Sequence, residues 1–112
     1  MITGWGTLQS GGSQPDQMQV ATVPVVSQAN CQNAYGAKNI HDSMVCAGFP
    51  EGGVDSCQGD SGGPMVCKDT GGLYSLHGVT SWGYGCADPG KYGVYARVGY
   101  LTKWIDDQIN SN

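Results

Sequence analysis

Charge is scarce in this 112-residue chain: only 12% of it is Asp, Glu, Lys or Arg. The five Lys and Arg form no basic cluster and the net charge is −4, so neither nucleic acid nor an anionic membrane is an expected partner. No apolar run approaches the roughly 20 residues that a membrane span needs, and the first residues do not read as a secretory leader. Histidine is limited to His41 and His77, and none of the cysteines forms a Cys-x-x-Cys pair. A zinc centre is therefore not expected. What the chain does have is glycine, 19 of 112 residues, a composition of turns and short strands rather than long surface helices. It also has five cysteines, Cys31, Cys46, Cys57, Cys67 and Cys86. That density fits disulfides in an extracellular protein, with one cysteine left over. The length allows a single domain, 1–112, with a modest core.

Hydrophobic patterning divides the chain into short strands. Met1 to Thr7 reads as a strand ending at the corner Gly4-Trp5-Gly6, followed by a polar Gly/Ser/Gln loop from Leu8 to Asp16. Gln17 to Val26 reads as one strand, and Pro24 marks an edge or a strand end. Ser27 is placed to cap a short helix running to Tyr35 and carrying Cys31. Ser43–Phe49, Pro64–Lys68, Leu73–Trp82 and Gly93–Val98 read as further strands. From about 99 to 112 the period changes: Leu101, Trp104, Ile105 and Ile109 recur at helical spacing. Six or so antiparallel strands and a terminal helix suggest a small barrel.

The chemistry concentrates in Asp55-Ser56-Cys57-Gln58-Gly59-Asp60-Ser61-Gly62-Gly63-Pro64. The glycines accept positive φ, and Pro64 disfavours helix at Gly63. The stretch is a rigid irregular loop that displays Ser61. Backbone N–H groups of Gly59 and Ser61 could converge beside the serine oxygen, the layout of a nucleophile with an oxyanion hole. Gly, Ser, Asp and Pro are also ordinary turn residues, so a plain turn competes with this reading. Gly59 to Gly63 satisfies G-x-S-x-G literally, but a nucleophile elbow must lead into a helix, which Gly62-Gly63-Pro64 forbids.

The ten residues with their flanks are more specific than any tripeptide in them. Asp55 to Pro64 resembles the active-serine loop of the trypsin-like (chymotrypsin-fold) serine proteases. Ser81-Trp82-Gly83 resembles their substrate-binding strand, and Gly4-Trp5-Gly6 and Gly93-Val94-Tyr95 match two further motifs. The resemblance runs through the whole chain in order. It implies an all-β fold: the second, six-stranded antiparallel Greek-key barrel of that architecture, with a C-terminal helix. It implies a secreted endopeptidase acting through an acyl-enzyme on Ser61, with Gly59 and Ser61 N–H groups as the oxyanion hole. Asp55 would sit at the base of a primary pocket, giving cleavage after Arg or Lys. Ser56, Gln58, Ser81, Trp82, Gly83, Gly85 and Gly93 would complete the substrate site. Asp60 would have a structural role, pairing with the N-terminus that zymogen cleavage creates.

The resemblance also pairs Cys31 with Cys46 and Cys57 with Cys86, and leaves Cys67 for a cysteine just before Met1. The catalytic His and Asp would lie upstream, in a first barrel this sequence lacks, so the chain alone is expected to be inactive; His41 and His77 have no matching flanks. Tyr92 resembles the members that bind sodium through loop carbonyls near Asp88 and Lys91. The resemblance implies no organic cofactor, and the expected partners are peptide and protein substrates, protein protease inhibitors and the missing barrel. A non-catalytic homologue acting as a binding module is the alternative.

Overall fold

A computed structural model describes residues 1–83 and 85–111. Glycine and proline punctuate the chain into strands β1 (Ile2–Gly4), β2 (Gln19–Ala21), β3 (Val25–Val26), β4 (Met44–Ala47), β5 (Pro64–Lys68), β6 (Tyr74–Trp82) and β7 (Gly93–Arg97). Helix α1 (Gln28–Tyr35) lies between β3 and β4, and α2 (Val98–Asn110) follows β7. The end of the expected 99–112 helix, Asn112, lies outside the described residues.

All strands join one antiparallel sheet in the order β2-β1-β5-β6-β7-β4-β3. The jumps from β1 to β5 and from β4 to β7 follow a Greek-key path. The two edge strands, β2 and β3, are consecutive in sequence. Edges of a flat sheet of seven strands would lie roughly 30 Å apart. The chain from Ala21 to Val25 can span at most about 14 Å. The sheet must therefore curl until its edges nearly meet.

Seven strands replace the expected six because Gln17–Val26 is not one strand. It breaks at Thr22-Val23-Pro24, where Val23 turns into the core at 8% exposure and Pro24 has no N–H to donate. The Pro24 carbonyl accepts instead from Gly48 N at 2.9 Å.

Period-two alternation sorts the core. Val45, Ala47 and Tyr95 point inward with Ile2, Val23 and Met65. Their neighbours Cys46 and Val94 point to the other face, packing with Cys31, Tyr35 and Ile40 beneath α1. Ser27 caps α1 as expected, its Oγ accepting from Asn30 N at 3.2 Å. The α2 stripe is only partly covered: Leu101 and Ile105 are half-buried, whereas Trp104 and Ile109 are 64% and 66% exposed.

Candidate active site

The loop 57–63, between β4 and β5, is shaped by its own backbone. Asp60 N donates to Cys57 O and Gly63 N to Asp60 O, both at 3.0 Å. Gly62 N donates to Thr80 O and Thr80 N to Gly63 O, both at 2.9 Å, which fastens the loop to β6. The Cys57–Cys86 disulfide ties its start to the segment after β6; Cys31–Cys46 joins α1 to β4, and Cys67 is free. A bridge closing a loop of this size is worth roughly 3–4 kcal/mol in the chain-entropy picture.

Asp60 points away from Ser61, toward β1. Its Oδ1 accepts from Gly6 N at 2.8 Å and its Oδ2 from Cys57 N at 2.9 Å. This carboxylate explains the Gly4-Trp5-Gly6 corner. A Cβ on Gly4 would lie 1.9 Å from Asp60 Oδ1, and one on Gly6 would lie 2.4 Å from Oδ2. Either would push the carboxylate off its donors. A second cavity, about 220 Å³, opens beside Asp60 between β1, β2 and the 53–57 and 86–87 segments.

Thr7 steers the loop. Its N–H donates to Gln58 O at 2.8 Å. In a planar trans peptide the next N–H points opposite to that carbonyl, so Gly59 N–H is aimed away from Thr7. Thr7 Oγ1 lies 3.1 Å from Gln58 Oε1, which also accepts from Gly11 N at 3.3 Å. Gly59 holds φ +97°, and a Cβ there would lie 2.5 Å from Gln14 Nε2. Among the described residues, neither Gly59 N–H nor Ser61 N–H donates to another group, and Ser61 is exposed without a partner for its Oγ. Free N–H groups beside a free hydroxyl are the arrangement that stabilises a developing oxyanion.

Next to Ser61 is a cavity of about 180 Å³. It is lined by every substrate-site residue expected from sequence, namely Asp55, Ser56, Gln58, Ser81, Trp82, Gly83, Gly85 and Gly93, and by Ser61 itself. Sequence reasoning did not single out Thr80 or Cys86 for this wall. At its base, Asp55 Oδ1 accepts from Ser56 N at 2.8 Å and Oδ2 from Ala87 N at 3.1 Å. Ser56 Oγ also lies 3.5 Å from Oδ1, so Oδ2, with a single donor, keeps a lone pair for a ligand. Burial raises the Asp55 pKa above its ordinary 3.8, and the two backbone donors hold that rise back. Ser56 Oγ lies 3.2 Å from Tyr95 OH. Tyr95 is fully buried, and burial pushes its phenol up to about 12, so it stays protonated. Thr7, Ala87 and Tyr95 act here through long-range contacts; of these only Tyr95 stood out in sequence, within the motif Gly93-Val94-Tyr95.

Trp82 stands on the far wall with Tyr35 edge-on at 4.9 Å between ring centroids. His41 and His77 are elsewhere. His41 bonds Ser43 Oγ through Nδ1 at 2.9 Å and meets the Tyr100 ring at 5.6 Å. His77 is half-buried on β6. Near the chain's end, Lys91 N closes a turn on Asp88 O at 3.1 Å, while Lys91 Nζ donates to Ala34 O at 2.6 Å.

Residues 1–105 match the family model described as Trypsin. The chain belongs to the trypsin family. It is 60% identical over 105 residues to Trypsin-1 of Astacus astacus, covering 94% of this chain and 44% of that protein. It is 57% identical over 110 residues to a trypsin of Saccharopolyspora erythraea, covering 98% and 46%. Against the anionic trypsin of Bos taurus it is 49% identical over 113 residues, covering 100% and 43%. The chain thus spans less than half the length of these trypsin-family relatives.

Proposed function

We propose that this chain is the C-terminal barrel of a secreted serine endopeptidase that cleaves after Arg and Lys. The observation that carries the reading is the cavity with Ser61 at its mouth and the Asp55 carboxylate at its base. A guanidinium or ammonium reaching that base meets two oxygens, each already oriented by a backbone donor. Charge-assisted, bidentate pairing of this kind is strong and geometrically selective. An extended substrate would lie along Ser81–Gly83 and bond to that backbone.

In the reaction, Ser61 Oγ attacks the scissile carbonyl carbon as its proton passes to a histidine outside this sequence. The carbonyl oxygen becomes an oxyanion on the Gly59 and Ser61 N–H groups. The C–N bond then breaks, and the amine leaves with that proton. Water, deprotonated by the same histidine, releases the acyl group from Ser61. The cavity beside Asp60 suits the amine of an N-terminus freed by zymogen cleavage, which would add a charged partner to the carboxylate. Peptide and protein substrates, protein protease inhibitors and the N-terminal barrel are the proposed partners.

A sodium site near Asp88 and Lys91 is also proposed. The Lys91 ammonium donates to Ala34 O, at the end of α1. Replacing sodium with choline in the completed enzyme tests this, and unchanged kcat/KM would refute it.

The main test joins this chain to a preceding trypsin-family half carrying the histidine and aspartate. The completed enzyme should cleave Arg and Lys esters, and Ser61→Ala should abolish turnover. The 112-residue chain alone should neither turn over nor react stoichiometrically with a serine-directed phosphonate. Preference for Phe or Leu, or labelling of the lone chain at Ser61, would refute the reading.

A further inference from the structure

A protease that cuts after Lys or Arg needs two things from a folded target. The basic side chain must be free to enter a pocket, and the flanking backbone must be able to extend. This chain has five such residues, Lys38, Lys68, Lys91, Arg97 and Lys103, and the fold treats them very differently.

Lys68 is the last residue of β5, paired with Tyr74, and its ammonium lies 5.8 Å from the Tyr74 ring centroid. The bond after it is locked: Asp69 N donates to Leu73 O at 2.8 Å, and Asp69 Oδ1 accepts from Gly71 N and Leu73 N, both at 2.9 Å. Lys91 Nζ is held on Ala34 O and sits 5.2 Å from the Tyr35 ring centroid. Arg97 lies in the β6–β7 ladder, opposite Gly78. Its guanidinium donates to Asp42 O, Gln28 Oε1 and Met44 O. Lys103 is within α2, bonded to Asp107 at 2.8 Å.

Lys38 differs on both counts. Among the described residues its ammonium has no partner. It belongs to the run Gly36–Asn39, four consecutive exposed residues between buried Tyr35 and Ile40. The run is held only locally: Asn39 N donates to Gly36 O at 3.1 Å, and Asn39 Nδ2 to Tyr35 O at 2.7 Å. Exposed loop tips of this kind are where nicking concentrates, because they open at little free-energy cost.

We propose that Lys38–Asn39 is the primary proteolytic nicking site of this chain, and that the nicked pieces remain joined through Cys31–Cys46. That the completed enzyme would make this cut on its own copies rests on the Arg/Lys specificity proposed above; the site itself does not. Hydrolysis breaks the Lys38–Asn39 C–N bond and adds one water, leaving a carboxylate on Lys38 and an ammonium on Asn39. Cys31 and Cys46 lie on opposite sides of the break. The nick falls in the α1–β4 loop and leaves Asp55, the 57–63 loop and the second disulfide untouched.

The test is a limited digest of the folded 112-residue chain with a trace of an endopeptidase of known Lys/Arg specificity. The first product should have the intact mass plus one water. On reduction it should separate into 1–38 and 39–112. Lys38→Gln should remove that product and slow loss of the intact chain about tenfold or more, because each other site must first release a strand, a helix or a basic side chain held on a partner. A first cut after Lys68, Lys91, Arg97 or Lys103 would overturn the proposal. So would several simultaneous cuts, or separation without reduction. Because the probe supplies its own specificity, a failed digest would not touch the Asp55 reading, and a failed Asp55 reading would remove only the self-cleavage.

Discussion

Replacing Asp55 with serine should strip the pocket of its affinity for cations while leaving its walls in place. The carboxylate is fixed by Ser56 N and Ala87 N at 2.8 and 3.1 Å, and no basic side chain lines the cavity. A ligand cation would therefore be its only charged partner. Loss of one member of such a desolvated pair costs roughly 2–5 kcal/mol, or about 30- to 4,000-fold in affinity. Calorimetric titration of the chain with benzamidine, an aryl amidine of the right size and charge, reads this directly. Benzyl alcohol serves as the uncharged control and should bind both forms equally weakly. Amidine binding by the wild type should fall as pH is lowered, starting above the usual carboxylate range because burial raises the Asp55 pKa. For the same reason the folded chain holds that proton more tightly than the unfolded chain. The contribution of Asp55 to stability is thus greatest below pH 3.8 and declines as pH rises through the folded value. The stability of the wild type minus that of Asp55→Ser should follow this decline in urea titrations. A benzamidine affinity reduced less than about tenfold, or a difference that grows with pH, would refute the argument.

Gly6→Ala should place a methyl group against the Asp60 carboxylate and destabilise the chain by about 1–3 kcal/mol, as overpacking does. Hydrogen exchange in residues 57–63 should rise with it; unchanged exchange there would separate Asp60 from the shape of the loop. Alkylation without reduction should label Cys67 alone and leave Cys31–Cys46 and Cys57–Cys86 intact; a bridged Cys67 would contradict the free thiol.

Local patterning carried the strands where glycine or proline marks their ends. Pro64–Lys68 has the expected bounds, and β4, β6 and β7 lie within theirs. The expected strand from Gln17 to Val26 failed at Val23. An apolar residue reads the same whether it continues an alternation or plugs a barrel's open seam. The α2 stripe was legible at helical spacing, but spacing cannot say how much of a stripe is covered. At the site, Ser61 and Asp55 stood out because one loop carries both. The roles of Gly4, Gly6 and Thr7 were not legible in physical terms, since their partners Asp60 and Gln58 lie some fifty residues away. Tyr95 stood in a recognised motif, but its hydroxyl contact with Ser56 follows only from how β7 packs.

The pairing of the chain's first residue with β5 works as a ruler. Met1 N donates to Val66 O at 2.8 Å and Val66 N to Met1 O at 2.9 Å, so these two form a hydrogen-bonded pair. One step further along the same ladder, whatever residue preceded Met1 would face Cys67 in a non-hydrogen-bonded pair. Cα atoms in such pairs lie about 4.5 Å apart, inside the range a disulfide can bridge. The free thiol therefore marks an address. A cysteine placed directly before Met1 would arrive opposite Cys67 and close a third bridge, whereas one placed two residues before it would point to the other face of the sheet.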